Sequence, residues 1–338
     1  MVCPIEWRMV GVMSTHDLSP SPRQFYLDFE TTGLSPATAQ VMELALRGAA
    51  RLDRLVSDAP PASPEAFQVH GISPWLCQCE GRPSRLVLAE LLTTLGPGPV
   101  EIVAHNAPFE RGFLEAWAQR EDMRLPDILW TCTLEASRRL MTRAPINHQL
   151  GSLATSLGWR AEGLHRSAAD TEITVRLHQA LEAWGQLKIA LGPDPGVVYL
   201  AGPLRGDGSP EAIAHNQGAM KVLARWAQAV LPTATLVVPH LNFEFVDESG
   251  ERGLTVRAQV LRSCEQLVAR SNAIILCGPP TEGMQRERIV ADGMGIPAFS
   301  VPGWDGSTPE KHPVQAEQTL PAWMVKAMTP ALAGTPAP

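Results

Sequence analysis

Five consecutive residues, Gly192-Pro193-Asp194-Pro195-Gly196, limit what this chain can fold into more than any other stretch. Glycine frees the backbone, while proline fixes φ and removes a donor, so neither a helix nor a central strand runs through such a cluster. A chain of 338 residues is long enough for two ordinary domains. The expected organisation is a poorly ordered start over 1–21, a first domain over 22–185, a linker over 186–196, a second domain over 197–303 and a Pro/Ala-rich tail over 304–338. Within the tail, one helix is expected at 316–328.

Beyond the breaker, short apolar runs alternate with helical stretches. Strands are expected at 197–201, 235–239, 273–277 and 297–301, and helices at 211–230, 254–271 and 284–294. That alternation is the pattern of a parallel sheet covered by helices, a Rossmann-like α/β arrangement. Ligands of such sheets sit at the carboxyl ends of the strands. Here those ends are Ala201-Gly202-Pro203, Pro239-His240 and Gly278-Pro279-Pro280.

The first half holds three separated blocks rich in chemistry. They are Asp28-Phe29-Glu30-Thr31-Thr32-Gly33-Leu34, His105-Asn106-Ala107-Pro108-Phe109-Glu110 and His165-Arg166-Ser167-Ala168-Ala169-Asp170. Residues 24–30 alternate as a buried strand does, and a spacing of two puts Asp28 and Glu30 on one face. Two carboxylates on one face repel unless a cation lies between them, and Mg²⁺ favours such hard oxygen donors. A pair of ions about 3.5–4 Å apart suits in-line phosphodiester hydrolysis. Gly33 reads as a tight turn whose N–H groups and hydroxyls suit a phosphate or a terminal sugar. Residues 100–104 read as a second strand ending at His105 and Asn106, with Pro108 in the first turn of a helix. Phe109, Phe113, Leu114 and Trp117 follow at helical spacing. That stripe reads as core, with base stacking open for Phe109. A third helix, expected at 168–183, carries Asp170 in its first turn, and His165 on the entering loop suits a general base toward water. Any one block alone reads as an ordinary turn or cap; the three in order do not.

These blocks resemble the DEDDh 3′–5′ exonucleases, the group of proofreading subunits, oligoribonucleases and RNase T, over roughly residues 22–184. Phe67-Gln68-Val69-His70-Gly71-Ile72 is similar to a His-Gly-Ile turn of that family, and Asn147-His148-Gln149-Leu150 to the approach to its third block. The resemblance implies an RNase H-like mixed sheet with helices. It further implies two Mg²⁺ or Mn²⁺ ions, with Asp28, Glu30, Glu110 and Asp170 as ligands and His165 as general base. Thr31, Thr32 and Leu34 would contact a 3′-terminal nucleotide, with Asn106 and Phe109 supporting it. The implied partners are single-stranded DNA or RNA 3′ ends, nucleotides, and a polymerase or repair complex. The family places Asp where this chain has Glu110, about one bond length longer, ~1.5 Å. Retained activity is the favoured expectation, and a weakened nucleic-acid-binding or sensing protein is the alternative.

The second half resembles the nucleoside 2-deoxyribosyltransferase-like superfamily through Tyr199-Leu200-Ala201-Gly202-Pro203, Asn216, Pro239, and Gly283 followed by Glu287. The resemblance implies Glu287 as a nucleophile toward an anomeric carbon, with Gly202 and Pro203 near the substrate. The chain departs from the superfamily at Asn272, where an acid is usual, and at Thr281-Glu282-Gly283. Cleavage of N-glycosidic bonds, nucleotide binding without chemistry, and a plain macrodipole role for Glu287 at a helix N-terminus stay open.

A net charge of −7 argues against a protein that coats nucleic acid non-specifically. Arg111, Arg138, Arg139 and Arg143 read as solvated helix faces, and Arg166 as a contact to a phosphate backbone. The six cysteines lack Cys-x-x-Cys spacing, so free thiols in a reducing cytoplasm are expected. No apolar run reaches membrane-span length.

Overall fold

The computed structural model describes residues 23–301 except 142–146, 158, 160–162, 205, 207, 244–252 and 279. The start over 1–21, the tail over 304–338 with its helix at 316–328, Arg143 and Pro279 lie outside the described residues.

The first half runs β1 (Arg23–Thr31), β2 (Val41–Gly48), β3 (Leu52–Leu55), α1 (Pro64–His70), α2 (Pro74–Glu80), α3 (Ser84–Leu95), β4 (Val100–Ala104), α4 (Ala107–Arg120), β5 (Ile128–Cys132), α5 (Thr133–Leu140), α6 (Leu150–Ser156) and α7 (Ser167–Leu191). Its sheet has the order β3-β2-β1-β4-β5. β2 is antiparallel to β1 and β3, while β4 is parallel to β1 and β5. This mixed sheet has the RNase H-like arrangement. The alternation in β1 decides its two faces. Phe25, Leu27 and Phe29 enter one apolar core with Leu91, Phe113 and Trp117. Tyr26, Asp28 and Glu30 therefore take the opposite face, the one α7 crosses: the Tyr26 hydroxyl meets His178 Nδ1 at 3.1 Å.

The second half runs β6 (Val197–Ala201), α8 (Pro210–Val230), β7 (Thr235–Val237), α9 (Pro239–Asn242), α10 (Gly253–Val268), β8 (Ala273–Cys277), α11 (Glu282–Met294) and β9 (Ala298–Val301). Its sheet has the order β7-β6-β8-β9 and every pairing is parallel. Each expected strand and helix of this half is present. Asn272, the departure from the superfamily, ties two strands together: its side-chain oxygen accepts from the Val197 N–H at 2.7 Å.

The linker expected over 186–196 needs correction. α7 continues through Gly185 to Leu191, and Gly192 ends it at φ 71°. Trp184 and Leu187 are buried in one apolar cluster with Val198, Leu200, Met220 and Trp226 of the second half. Burying each such side chain stabilises by roughly 1.5–3 kcal/mol, which outweighs the cost of about 1 kcal/mol for a glycine inside a helix. Only 192–196 separates α7 from β6.

Among the described residues no disulfide forms, and no helix is long and apolar enough to cross a membrane.

Candidate active site

Asp28 and Glu30 come from β1, and Asp170 from the first turn of α7. One carboxylate oxygen from each lies within 4.8 Å of the other two. The pattern of residues thus brings together side chains 140 positions apart in sequence, because α7 crosses the polar face of β1. Glu110, in the first turn of α4, lies outside that group of three but close enough for its charge to act on Asp28. It is 3% exposed, and its Oε2 has no hydrogen-bond partner.

The electrostatics follow from this crowding. Burial, then Glu110, Asp170, Glu30 and Glu43, push the Asp28 carboxyl well above the usual carboxylate range. Burial first, then Asp170 and Glu43, push Glu30 up to about 8, with Arg166 pulling the other way. Burial pushes Glu110 up to about 8, and Asp170 up to about 6. A backbone N–H and the charge of His165 hold Asp170 back from rising further. Such a cluster of buried carboxyls either keeps protons or takes a cation. The orphaned Glu110 oxygen and the all-oxygen donor set fit a hard divalent ion.

His165 is exposed on the loop entering α7, with φ 68°, a left-handed value rare outside glycine. Its N–H donates to both oxygens of Asp170 at 3.3 Å. Its ring is not sealed in packing. Asn106 is exposed at the end of β4, again left-handed at φ 75°. Phe109 is half-buried and stacks on Phe113 with ring centroids 4.7 Å apart, so core packing claims most of it.

The turn after β1 differs from expectation in detail. The Thr31 hydroxyl donates to the Gly33 carbonyl at 2.7 Å, and the Thr32 hydroxyl accepts from the Gln40 N–H at 2.9 Å. Both hydroxyls shape the turn. Gly33 is not in the left-handed region, and a Cβ there would meet Ala39 at an ordinary 3.5 Å, so the turn does not demand glycine. Leu34 is 87% exposed beside this turn.

Two groups of the site were not legible from the motifs. Glu43 on β2 stands opposite Glu30 in register and is buried. Its signal was a single acid inside the apolar run Val41–Leu46. His105 reads in the sequence only as a strand end. It is pinned between the Thr133 hydroxyl and the His148 carbonyl, each at 3.0 Å, and burial drives it down to about 4. Arg166, read as a phosphate contact, is paired with Glu43 and keeps a side chain that is 45% exposed. Arg111 and Arg139 pair with Glu115 and Glu135 along their own helices.

Residues 25–178 match the family model described as RNase_T, Exonuclease. The chain carries an RNase_T exonuclease domain. This exonuclease domain is similar to segments of the PolC-type DNA polymerase III. It is 31% identical over 161 residues to that of Latilactobacillus sakei, covering 46% of this chain and 11% of the relative. It is 33% identical over 153 residues to that of Oceanobacillus iheyensis, covering 44% and 10%. The chain spans about a tenth of the length of these curated relatives. A solved structure of E. coli exonuclease I in complex with a dT13 oligonucleotide aligns at TM-score 0.42 and 18% identity, covering 50% of this chain and 43% of that one.

In the second half, Glu287 lies beyond the first turn of α11, whose first-turn acid is Glu282. The macrodipole role therefore falls to Glu282. Glu287 is 8% exposed and accepts from the Tyr199 hydroxyl at 2.5 Å. Burial pushes Glu287 up to about 7, and burial together with Glu287 raises the Tyr199 phenol. Gly202 follows β6, where a Cβ would strike the Met220 sulfur at 2.3 Å. The Pro203 carbonyl faces His240 Nε2 at 3.0 Å.

Proposed function

We propose that the exonuclease domain hydrolyses phosphodiester bonds at the 3′ ends of single-stranded DNA or RNA and releases nucleoside 5′-monophosphates. The observation that carries this reading is the convergence of Asp28, Glu30 and Asp170 within 4.8 Å. Those three carboxylates, with Glu110 beside them, would hold Mg²⁺ or Mn²⁺ in the DEDDh manner. Divalent ions supply charge neutralisation at the phosphate and an activated water. His165, exposed and next to Asp170, is placed to accept a proton from a water attacking the phosphate. Leu34 presents an apolar surface to the terminal nucleotide, on a turn held rigid by Thr31 and Thr32. Asn106 and the free edge of Phe109 flank it. The polymerase character of the PolC-type relatives favours a replicative or repair complex as the setting.

The test is digestion of 3′-labelled single-stranded oligonucleotides with Mg²⁺ or Mn²⁺. Stepwise loss of the label, abolished in Asp28→Ala, is expected. Digestion no faster than the Asp28→Ala control rejects the enzyme and leaves the weakened binding protein.

A second reading concerns the second half. The buried pair of Glu287 with Tyr199, in the middle of β6, favours a nucleotide site, with Glu287 as nucleophile toward an N-glycosidic bond and Gly202 and Pro203, just past the carboxyl end of β6, bordering it. The monophosphates released by the first half are then its natural ligands. Incubation with each deoxynucleoside monophosphate should liberate free base, or show saturable binding, and both should vanish in Glu287→Gln. Neither signal from any of the four rejects it.

A further inference from the structure

A carboxylate that no ligand role accounts for lies next to the acidic cluster. Glu43 sits on β2 directly across from Glu30, and its side chain is only 9% exposed. Both of its oxygens are engaged. The Arg166 Nε–H lies 3.1 Å from each, Arg166 Nη2 approaches Oε1, and the Ser167 N–H donates to Oε2 at 3.0 Å. A carboxylate holding a guanidinium fork and a backbone N–H has little left to offer a cation.

Where this grip falls matters. Arg166 and Ser167 are the N-cap and first residue of α7. One residue before them is His165, and three after Ser167 is Asp170. The same turn is closed by the Arg166 carbonyl, which accepts from the Ala169 and Asp170 N–H groups at 2.9 and 3.1 Å. The His165 N–H then reaches back to the Asp170 carboxylate at 3.3 Å. The turn that bears both groups is thus bolted to the strand beside the one that bears Asp28 and Glu30. A helix N-terminus otherwise leaves its first N–H groups unsatisfied, and here one of them is taken by Glu43.

Resting on the exonuclease reading, we propose that Glu43 is a positioning residue of the hydrolytic site. Through Arg166 and the Ser167 N–H it sets the approach of Asp170 and His165 to the carboxylates of β1. It does not touch substrate or cation.

The test uses the full chain with Glu43→Gln, Arg166→Gln and the double variant, and Glu90→Gln as a control that breaks the Arg54–Glu90 pair between β3 and α3. Losing a charge-assisted pair that orients reacting groups lowers kcat by about 10- to 100-fold. KM for a 3′-labelled single-stranded oligonucleotide should move less than about twofold, since uniform binding is untouched. Mn²⁺ affinity by calorimetry should fall in both single variants. The double variant should be no worse than the poorer single one, the mark of two residues acting as a unit. Glu90→Gln should match the parent. The proposal is overturned by kcat and Mn²⁺ affinity unchanged in Glu43→Gln, or by multiplicative losses in the double variant. It is also overturned if Glu43→Gln alone lowers the number of bound Mn²⁺ ions, which would make Glu43 a ligand. Should Glu43→Gln fail to fold, Arg166→Gln, whose side chain is 45% exposed, carries the same readouts. A parent that cleaves nothing rejects the exonuclease reading, while the Mn²⁺ isotherms still decide whether Glu43 orders the carboxylates.

Discussion

A buried carboxyl beside others of its kind keeps its proton to a higher pH than in the unfolded chain, and this sets a testable pH dependence. Unfolded Asp and Glu titrate near about 4, whereas the folded chain holds Asp170 to about 6 and Glu30 and Glu110 to about 8. The folded state therefore binds more protons in this window. Its contribution to stability is full below about pH 4 and is lost as pH rises through about 6 to 8. In chelator, the melting temperature should fall from about pH 5 to about pH 8. Mn²⁺ competes with those protons, so it should raise the melting temperature more at the alkaline end. A melting curve flat in pH, with and without Mn²⁺, contradicts the carboxylate cluster. At Glu110, removal of the charge and shortening of the side chain separate two ideas. Glu110→Gln should cost ~100-fold in kcat, and Glu110→Asp should change it by less than about tenfold. A large gain from Glu110→Asp would instead show that the parent is impaired.

At the level of elements, α7 does the most. Its first turn delivers Asp170, its middle crosses β1 and β2, and its last turns belong to the core of the second half. Arg47 of β2 reaches Glu172 at 3.3 Å, so the helix is tied to the sheet at a second point past Glu43. Gly185 inside it meets nothing within 4 Å where a Cβ would stand. Gly185→Ala should therefore stabilise the chain by about 0.5–1 kcal/mol, seen as a shift in the denaturation midpoint without change in slope. Destabilisation would mean that the helix is not regular there. The alternation of β1 was readable in advance because a pleated strand has a period of two, so Asp28 and Glu30 had to share a face. The sequence pattern puts a linker from 186 up to and through the breaker, whereas the helix runs on to Leu191 and stops only at Gly192, where the breaker begins. A helix boundary depends on what its last turn packs against, and that partner lies elsewhere in the sequence.

For the whole molecule, the consequence is mechanical coupling of two sheets through one apolar cluster. Trp184 is fully buried in it, between α7 and the residues of β6 and α8. Trp184→Ala should cost about 3–5 kcal/mol. Unfolding followed by far-ultraviolet dichroism and by nuclease activity should show both halves lost together in the variant and the parent. Two well-separated transitions would show instead that the shared cluster does not bind the halves into one cooperative unit. The long sequence separation between the carboxylates and the second sheet gives no hint of this coupling. It comes from the length of α7, which spans both cores.

By itself the sequence determined the two α/β patterns, nearly every strand and helix of the second half, and three carboxylates, Asp28, Glu30 and Asp170, that the fold brings together. Those follow from local rules of periodicity, breaker residues and the spacing of chemically unusual side chains. Only the tertiary structure decided that Glu43 faces Glu30, that Arg166 pairs with it, that the threonine hydroxyls close a turn, and that Glu287 lies buried against Tyr199. Each of these is a pairing across strands or between a sheet and a helix. Their partners are chosen by register and packing, which no neighbour in the sequence encodes.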